Sequence, residues 1–471
     1  MFSNAATSVS GLRPELVEPT RVTLALRQAV GASDERVRRV LKKARRGRGL
    51  SPEEAAVLLQ VDHPEFLSGM FQAAKEVKHA IYGRRVVFFA PLYFSNACVN
   101  NCLYCGFRRD APYPRKRLSL AEIDAEVRAL TADGHKRLLA IGGEEPGEEA
   151  VDYLLQVIET AYQAKSGRNE VRRINVETAP MTVAQFRRLK DAHIGTYVLF
   201  QETYDRETYA HVHPSGPKAN YDWRLGTMDR AMDAGINDVG IGVLFGLHDY
   251  RREVISLLLH AEHLEHEFGA GPHTISVPRI QPAIGASFAS NPPAPVSDLE
   301  LQKVVAVLRL AVPYTGIILS TREEAPLRAR LLDLGVSQLS AGSRTEPGGY
   351  AGDRKATAQF SLGDTRPLDE VIRDVCLHGY VPSFCTGCYR KGRTGKDFMD
   401  LAKPGLIRMH CLPNALLTLR EFLDDYASEE TRAVGNRVIE QQVRTEVPEL
   451  RRPSLREALS RTEGGERDIC Y

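Results

Sequence analysis

From residue 86 to residue 340 the chain alternates two patterns. Short runs of apolar, often β-branched residues at 86–94, 137–141, 173–176, 197–200, 239–245, 274–280, 316–320 and 337–340 predict eight strands. Between them, stretches at 120–131, 151–164, 183–192, 223–233, 251–268, 298–312 and 325–334 repeat their apolar positions at helical spacing. Ser119, with Glu122 three residues on, starts the clearest of these helices. Eight strands alternating with helices over about 260 residues predict an α/β fold, a (β/α)8 TIM-type barrel. A doubly wound open sheet has the same periodicity. The barrel is preferred because the residues that carry chemistry recur just past strand ends, which converge on one face of such a barrel.

The flanks read differently. Residues 1–84 predict a helical segment, in which Ser51-Pro52-Glu53-Glu54 forms a capping box ahead of Ala56, Val57 and Leu58. After a barrel over 85–345, the glycine-rich stretch 346–353 predicts a loop, and beyond about residue 360 the pattern turns helical. Residues 346–471 are therefore expected to form a separate C-terminal unit. Its last part, 428–471, carries no motif, and Asp468-Ile469-Cys470-Tyr471 is read as a disordered tail.

Charge narrows the partners. Among 471 residues, 62 basic side chains face 60 acidic ones, so nothing calls for nucleic acid. The basic run at 36–48 is read as a solvated helix face. Met1-Phe2-Ser3-Asn4-Ala5 has no charged start leading into an apolar run, and no stretch reaches the ~18 apolar residues needed to cross a bilayer. The expectation is a cytoplasmic protein without a membrane partner. In such a reducing compartment, clustered thiols favour metal over disulfide.

Six cysteines fall in two sets. Cys98, Cys102 and Cys105 make a C-x3-C-x2-C run just after the first strand. Cys385 and Cys388 make a C-x2-C pair, joined by Cys411 after 22 intervening residues. Each set offers three thiolates, whereas a structural zinc site takes four protein ligands. A [4Fe–4S] cluster held by three cysteines keeps one iron free for another ligand. Asn100 and Asn101 suit tight turns, and Tyr104 is placed to pack beside a cofactor. Cys376 is read as a small packed residue, and Cys470 receives no assignment.

The first cysteine run resembles the radical S-adenosylmethionine (SAM) superfamily. That resemblance implies a [4Fe–4S] cluster whose free iron chelates SAM and generates a 5′-deoxyadenosyl radical. It also implies that Gly142, Gly143 and Glu144, after the second strand, hold the methionine amino group. Glu202 and Arg224 would contact the ribose and the methionine carboxylate, with a surface salt bridge as the alternative reading. Gly240-Ile241-Gly242 would let adenine lie against the backbone.

The second set and its surroundings, Cys385-Thr386-Gly387-Cys388-Tyr389-Arg390, Lys403-Pro404-Gly405 and Cys411-Leu412-Pro413-Asn414, resemble a narrower family. So do Tyr93-Phe94-Ser95-Asn96 and the stretch 271–279. This is the radical SAM tyrosine lyase family that matures [FeFe]-hydrogenase, and the likeness runs from about residue 50 to residue 427. It implies cleavage of L-tyrosine to p-cresol and dehydroglycine. The second fragment would become carbon monoxide and cyanide at an auxiliary [4Fe–4S] cluster with an extra iron, giving an Fe(CO)2(CN) unit. Free cysteine, a ferredoxin or flavodoxin reductant and a downstream maturation scaffold are the implied partners. His273 is read either as a ligand to the extra iron or as a hydrogen-bonded barrel histidine. Arg322, or else Arg279, would clamp the tyrosine carboxylate, and Ser320 and Ser340 would either add hydrogen bonds or only satisfy the backbone. Two rivals remain. The tyrosine lyase of thiamine biosynthesis shares the barrel but lacks the second cysteine set. A non-catalytic iron–sulfur scaffold or carrier would not need Glu144, Glu202 and Arg224.

Overall fold

The longest strand, β1 (Arg85–Ser95), organises the sheet. In the computed structural model, which describes residues 16–352 and 357–471, it is followed by β2 (Arg137–Gly142), β3 (Arg173–Glu177), β4 (Tyr197–Val198) and β5 (Val239–Gly242). β6 (Thr274–Ser276), β7 (Gly316–Leu319) and β8 (Gln338–Ser340) complete the ring. Residues 1–5, considered above for targeting, and Asp353 of the glycine-rich loop lie outside the described residues. Each strand pairs in parallel with the next, and β1 pairs with both β2 and β8, so the sheet closes into a (β/α)8 barrel. Phe88, Ala90 and Leu92 pack outwards in the main core, while Phe89, Pro91 and Tyr93 line the lumen. This is the period-two alternation of a strand covered on both faces. Each large apolar side chain buried here contributes roughly 1.5–3 kcal/mol.

Several expectations need correction. β4, β5 and β6 end two to four residues early, at Val198, Gly242 and Ser276. Beyond them the backbone leaves the continuous ladder and keeps only single bridges, Glu202 to Val243 and Phe245 to Arg279. The helix expected over 223–233 is two helices, Tyr221–Leu225 and Thr227–Asp233, broken at Gly226. The region beyond 360 is not purely helical. A ninth strand, β9 (Val381–Ser383), pairs with the start of β1 through Arg85 and Val381. The tail is folded as well. Ser428 caps the helix Glu429–Thr445, and Arg452–Glu463 packs Leu455, Ala458 and Leu459 inwards. Both helices touch Arg408–Asp425, which carries Cys411.

The N-terminal helices Pro19–Ala29, Asp34–Ala44, Pro52–Leu59 and Pro64–Tyr82 pack outside the barrel, and the expected Ser51–Glu54 capping box forms. The basic run turns Val37, Val40 and Leu41 inwards, and its exposed Lys43 and Arg45 pair with Glu54 and Glu76. Among the described residues, no helix is long and apolar enough to cross a membrane.

Candidate functional site

The loop after β1 carries Cys98, Cys102 and Cys105 over the end of the barrel where the strands finish. Backbone bonds pin it to neighbouring loops: Val99 N–H donates to Glu144 O at 3.0 Å and Leu103 N–H to Val212 O at 3.0 Å. Cys105 Sγ accepts from Phe107 N–H at 3.4 Å and Gln359 Nε2 at 3.7 Å. Burial pushes the Cys102 thiol up, and that of Cys105 up to about 11. Gly143 makes the close approach possible. A Cβ there would lie 1.9 Å from Ala97 O and 3.1 Å from Cys98 Cβ, so only glycine lets β2 end against this loop.

Beside it lies a buried charge network. Arg224 Nη1 meets Glu144 Oε1 at 2.8 Å, and Lys218 Nζ meets Glu202 Oε1 at 2.7 Å. Asn100 Nδ2 donates to Glu144 Oε2 at 2.9 Å. Burial alone would raise the Glu144 carboxyl, but Arg224 and Lys218 overcome it and hold the group below its usual range. Lys218 is held well above the usual lysine range, because Glu202 and Glu144 outweigh its burial and the like charge of Arg224. Glu202 sits in the left-handed region at φ +72°, a strained conformation for a non-glycine residue. Tyr104, buried against the lysine, shares a 2.8 Å hydrogen bond with His213 Nε2. A cavity of about 240 Å³ opens onto Gly143, Glu144, Lys218 and Arg224. The surface-bridge reading of Glu202 and Arg224 fails, since both are almost fully buried.

The second cysteine set lies at the opposite mouth. Because β9 pairs with the beginning of β1, Cys385 enters where the strands start. Cys385, Cys388 and Cys411 line one cavity with Arg85, Arg137 and His273, the residues that open β1 and β2 and precede β6. Arg137 Nη1 donates to Cys385 O at 2.8 Å. Cys388 and Cys411 lie close enough to share a proton, which raises the Cys388 thiol and lowers that of Cys411. His273 rests against Phe398, ring centroids 4.8 Å apart, and its Nδ1 is buried without a hydrogen bond, 3.6 Å from Asp238. The hydrogen-bonded reading of that nitrogen is therefore not met.

Between the two mouths runs the lumen, lined by Ser320, Arg322 and Ser340 among others. Gln338 borders both this cavity and that of the second cysteines. Ser340 Oγ accepts from Thr321 N–H at 3.1 Å, and Ser320 Oγ from Arg322 N–H at 3.4 Å. Arg279 points elsewhere, with its guanidinium on Glu323, on Asp298 at 3.0 Å and on Val296 O at 2.8 Å. Sequence reasoning missed Lys218, Glu177, Arg85 and Arg137. Glu177 and Arg137 sit at strand ends, where register could have exposed them. Lys218 lies on a turn with no motif.

Both sites fit iron–sulfur clusters by their donor chemistry. Each gathers three thiols, and the second adds buried guanidiniums suited to an anionic group and an unsatisfied imidazole nitrogen. At the first, Thr178 Oγ1 in the cavity wall is buried without a partner, and buried charges of both signs face the space where a zwitterionic methionine moiety would bind. Fold and site together define a radical SAM enzyme.

The Radical SAM superfamily model matches residues 92–260, and the Biotin and Thiamin Synthesis associated domain matches 276–381. The solved structure of HydG, a maturase of the [FeFe]-hydrogenase, is 47% identical, covers 97% of this chain and 100% of its own, and superposes with a TM-score of 0.94. HydG from Carboxydothermus hydrogenoformans is 41% identical over 95% of this chain and 99% of its own, with a TM-score of 0.84. The 2-iminoacetate synthase of Salmonella typhimurium is 32% identical over 71% of this chain and 86% of its own. The chain belongs to the HydG family of radical SAM lyases.

Proposed function

We propose that this protein cleaves the Cα–Cβ bond of L-tyrosine, releasing p-cresol and dehydroglycine. The second fragment then becomes carbon monoxide and cyanide in an Fe(CO)2(CN) unit for [FeFe]-hydrogenase maturation. The observation that carries this reading is the pair of three-thiol sites at opposite mouths of one lumen. It is supported by the likeness to HydG and by the name 2-iminoacetate synthase, which describes the same two-carbon imine.

Residues 85–345 would do the cleavage and residues 346–471 the second step. Cys98, Cys102 and Cys105 would hold one cluster, and Cys385, Cys388 and Cys411 the other, with His273 facing the extra iron. When bound, SAM and its cluster supply a radical that abstracts hydrogen from the substrate. Glu144 with the Gly142–Gly143 backbone would take the methionine ammonium. Arg224 and Glu202 would take its carboxylate and ribose, and Tyr104 would wall the site. Arg322 suits the tyrosine carboxylate, since a guanidinium matches a carboxylate in two parallel hydrogen bonds. Ser320 would join it. Arg279 is a supporting residue, because its charge is already taken by Glu323 and Asp298. The narrow lumen would exclude water from reactive fragments. A ferredoxin or flavodoxin reductant and a maturation scaffold would complete the cycle.

The test is anaerobic turnover of reconstituted protein with SAM, dithionite and L-tyrosine, with p-cresol, cyanide and carbon monoxide measured together. Cys388→Ala and Cys411→Ala should keep p-cresol and lose both diatomics. p-Cresol without either diatomic in the unaltered protein would instead favour the 2-iminoacetate synthase activity of the curated relatives.

A further inference from the structure

Glu177 and Arg322 are two opposite charges in the lumen that do not pair with each other. Glu177 closes β3, and Arg322 follows β7, four strands away in a ring of eight, so the two approach from opposite walls. Both line the same cavity. Among the described residues, the Glu177 carboxylate makes no hydrogen bond or ion pair. The Arg322 guanidinium makes neither, lying instead over the Phe360 ring at 3.3 Å from its centroid. An interior charge without a partner is costly unless something arrives to match it. Here one anion and one cation are left unmatched in one space. Two unmatched sites of opposite sign call for a ligand that carries both charges.

We propose that Glu177 binds the ammonium group of a zwitterionic α-amino acid whose carboxylate lies on Arg322. The pair thereby selects substrates with both groups intact. This rests on the amino-acid lyase reading above and adds a residue to it. Burial, then the nearby Glu202 charge, holds the Glu177 carboxyl up to about 7, and Arg322 is lowered mainly by burial. Both groups are thus strained by their setting in the direction that an incoming zwitterion relieves: an ammonium favours the ionised carboxylate, and a carboxylate favours the guanidinium. The remaining wall, with Tyr93, Phe200 and Phe360, is aromatic and suits a ring-bearing side chain.

The experiment is equilibrium binding to the reconstituted holoprotein with SAM present. The ligands are L-tyrosine, L-phenylalanine, L-tryptophan, tyramine and 3-(4-hydroxyphenyl)propionate. Unaltered protein should prefer tyrosine to both truncated analogues. Glu177→Gln should bind tyrosine about 10- to 100-fold more weakly. It should bind the propionate, which has no ammonium, at least as well as before, so the preference for an amino group collapses. Glu177→Asp should recover part of it. Unchanged SAM binding and iron content establish that the variants are folded. The proposal is overturned if Glu177→Gln keeps its preference for tyrosine over the propionate. It is equally overturned if the variant loses only its preference for tyrosine over phenylalanine, which would put Glu177 on the phenol. If the protein binds another amino acid through Glu177 but not tyrosine, the tyrosine reading falls and this one stands. If it binds none of the amino acids, both fall.

Discussion

Arg224 and Glu144, 80 residues apart in sequence, meet at 2.8 Å and join the helix Tyr221–Leu225 to the residues just past β2. The contact couples the arginine to the first cysteine loop, because Glu144 also accepts from Asn100 and its carbonyl receives Val99 N–H. Glu144→Gln keeps the shape but removes the charge, and Arg224→Met leaves Glu144 with Lys218 at 3.7 Å. A hydrogen bond to a charged group contributes about 1.5–3 kcal/mol, so each change should weaken SAM about 10- to 100-fold. Calorimetry on reconstituted protein measures this. Wild-type affinity in Arg224→Met would reduce the network to a structural role.

Gly143 is the tightest point in the first site. Its added Cβ would meet a backbone carbonyl, which cannot swing away as the end of a side chain would. Gly143→Ala should therefore displace the cysteine loop at a cost of about 1–3 kcal/mol and lower iron and SAM occupancy of the first cluster. Iron held at the second cysteine site, at the other mouth, should be unaffected. Mössbauer spectra of the variant distinguish the two losses, and an intact first cluster would contradict the close-approach argument.

Gln338 borders both the lumen and the second cysteine cavity, and a Cβ on Gly316 would lie 2.6 Å from its Nε2. A fragment that passes from one cavity to the other along the lumen would meet this side chain. Gln338→Phe should leave p-cresol release within about twofold and lower cyanide and carbon monoxide several-fold. Proportional loss of all three products would mean that the residue affects cleavage rather than passage.

The barrel and the first site are largely legible in the sequence. The cysteine spacings, the strand–helix periodicity and Gly143-Glu144 at a strand end all sit within a few residues of one another or repeat at a fixed period. What the sequence hides depends on closure. That β9 joins the beginning of β1, and so sends the second cysteines to the far mouth, follows from a pairing nearly 300 residues apart, Arg85 with Val381. The same holds for Lys218, whose role exists only because Glu202 and Glu144 converge on it. The tail misleads for a different reason. Residues 466–471 are too few to show a period, but Ile469 and Tyr471 pack against the core and the backbone N–H groups of Tyr471 and Asp468 donate to Asn414 and Glu421.

Acid should destabilise the apoprotein through buried neutral histidines. Burial lowers His135 to about 3 and His260 to about 4, whereas an unfolded imidazole titrates near 6.5. The folded state thus binds fewer protons. The stability is present above about pH 6.5 and is lost as the pH falls below it towards the folded values. Thermal melts of apoprotein between pH 7.5 and 5 should show the midpoint dropping, with a shallower slope in His260→Gln. A slope unchanged by that substitution would assign the effect to other groups.

The closing segment should hold the second cysteine site together. Tyr471 N–H donates to Asn414 Oδ1 at 2.7 Å, and Asn414 lies three residues beyond Cys411 on the same helix. Arg393 Nη2 donates to Tyr471 O at 2.9 Å, and Asp468 N–H to Glu421 Oε1 at 2.6 Å. Cys470 lies close by, its Cβ 3.6 Å from where a Cβ on Gly387 would stand, beside Cys385. Removing residues 466–471 breaks these bonds, at roughly 0.5–1.5 kcal/mol each, and opens the wall of the site to water. The truncated protein should reconstitute with a normal first cluster and form 5′-deoxyadenosine at the usual rate. On the proposed function it should lose iron from the second cysteine site and, with it, cyanide and carbon monoxide. Asn414→Ala should give a milder form of the same loss. Full iron content and undiminished cyanide release after truncation would show that the segment only covers the site and does not support it.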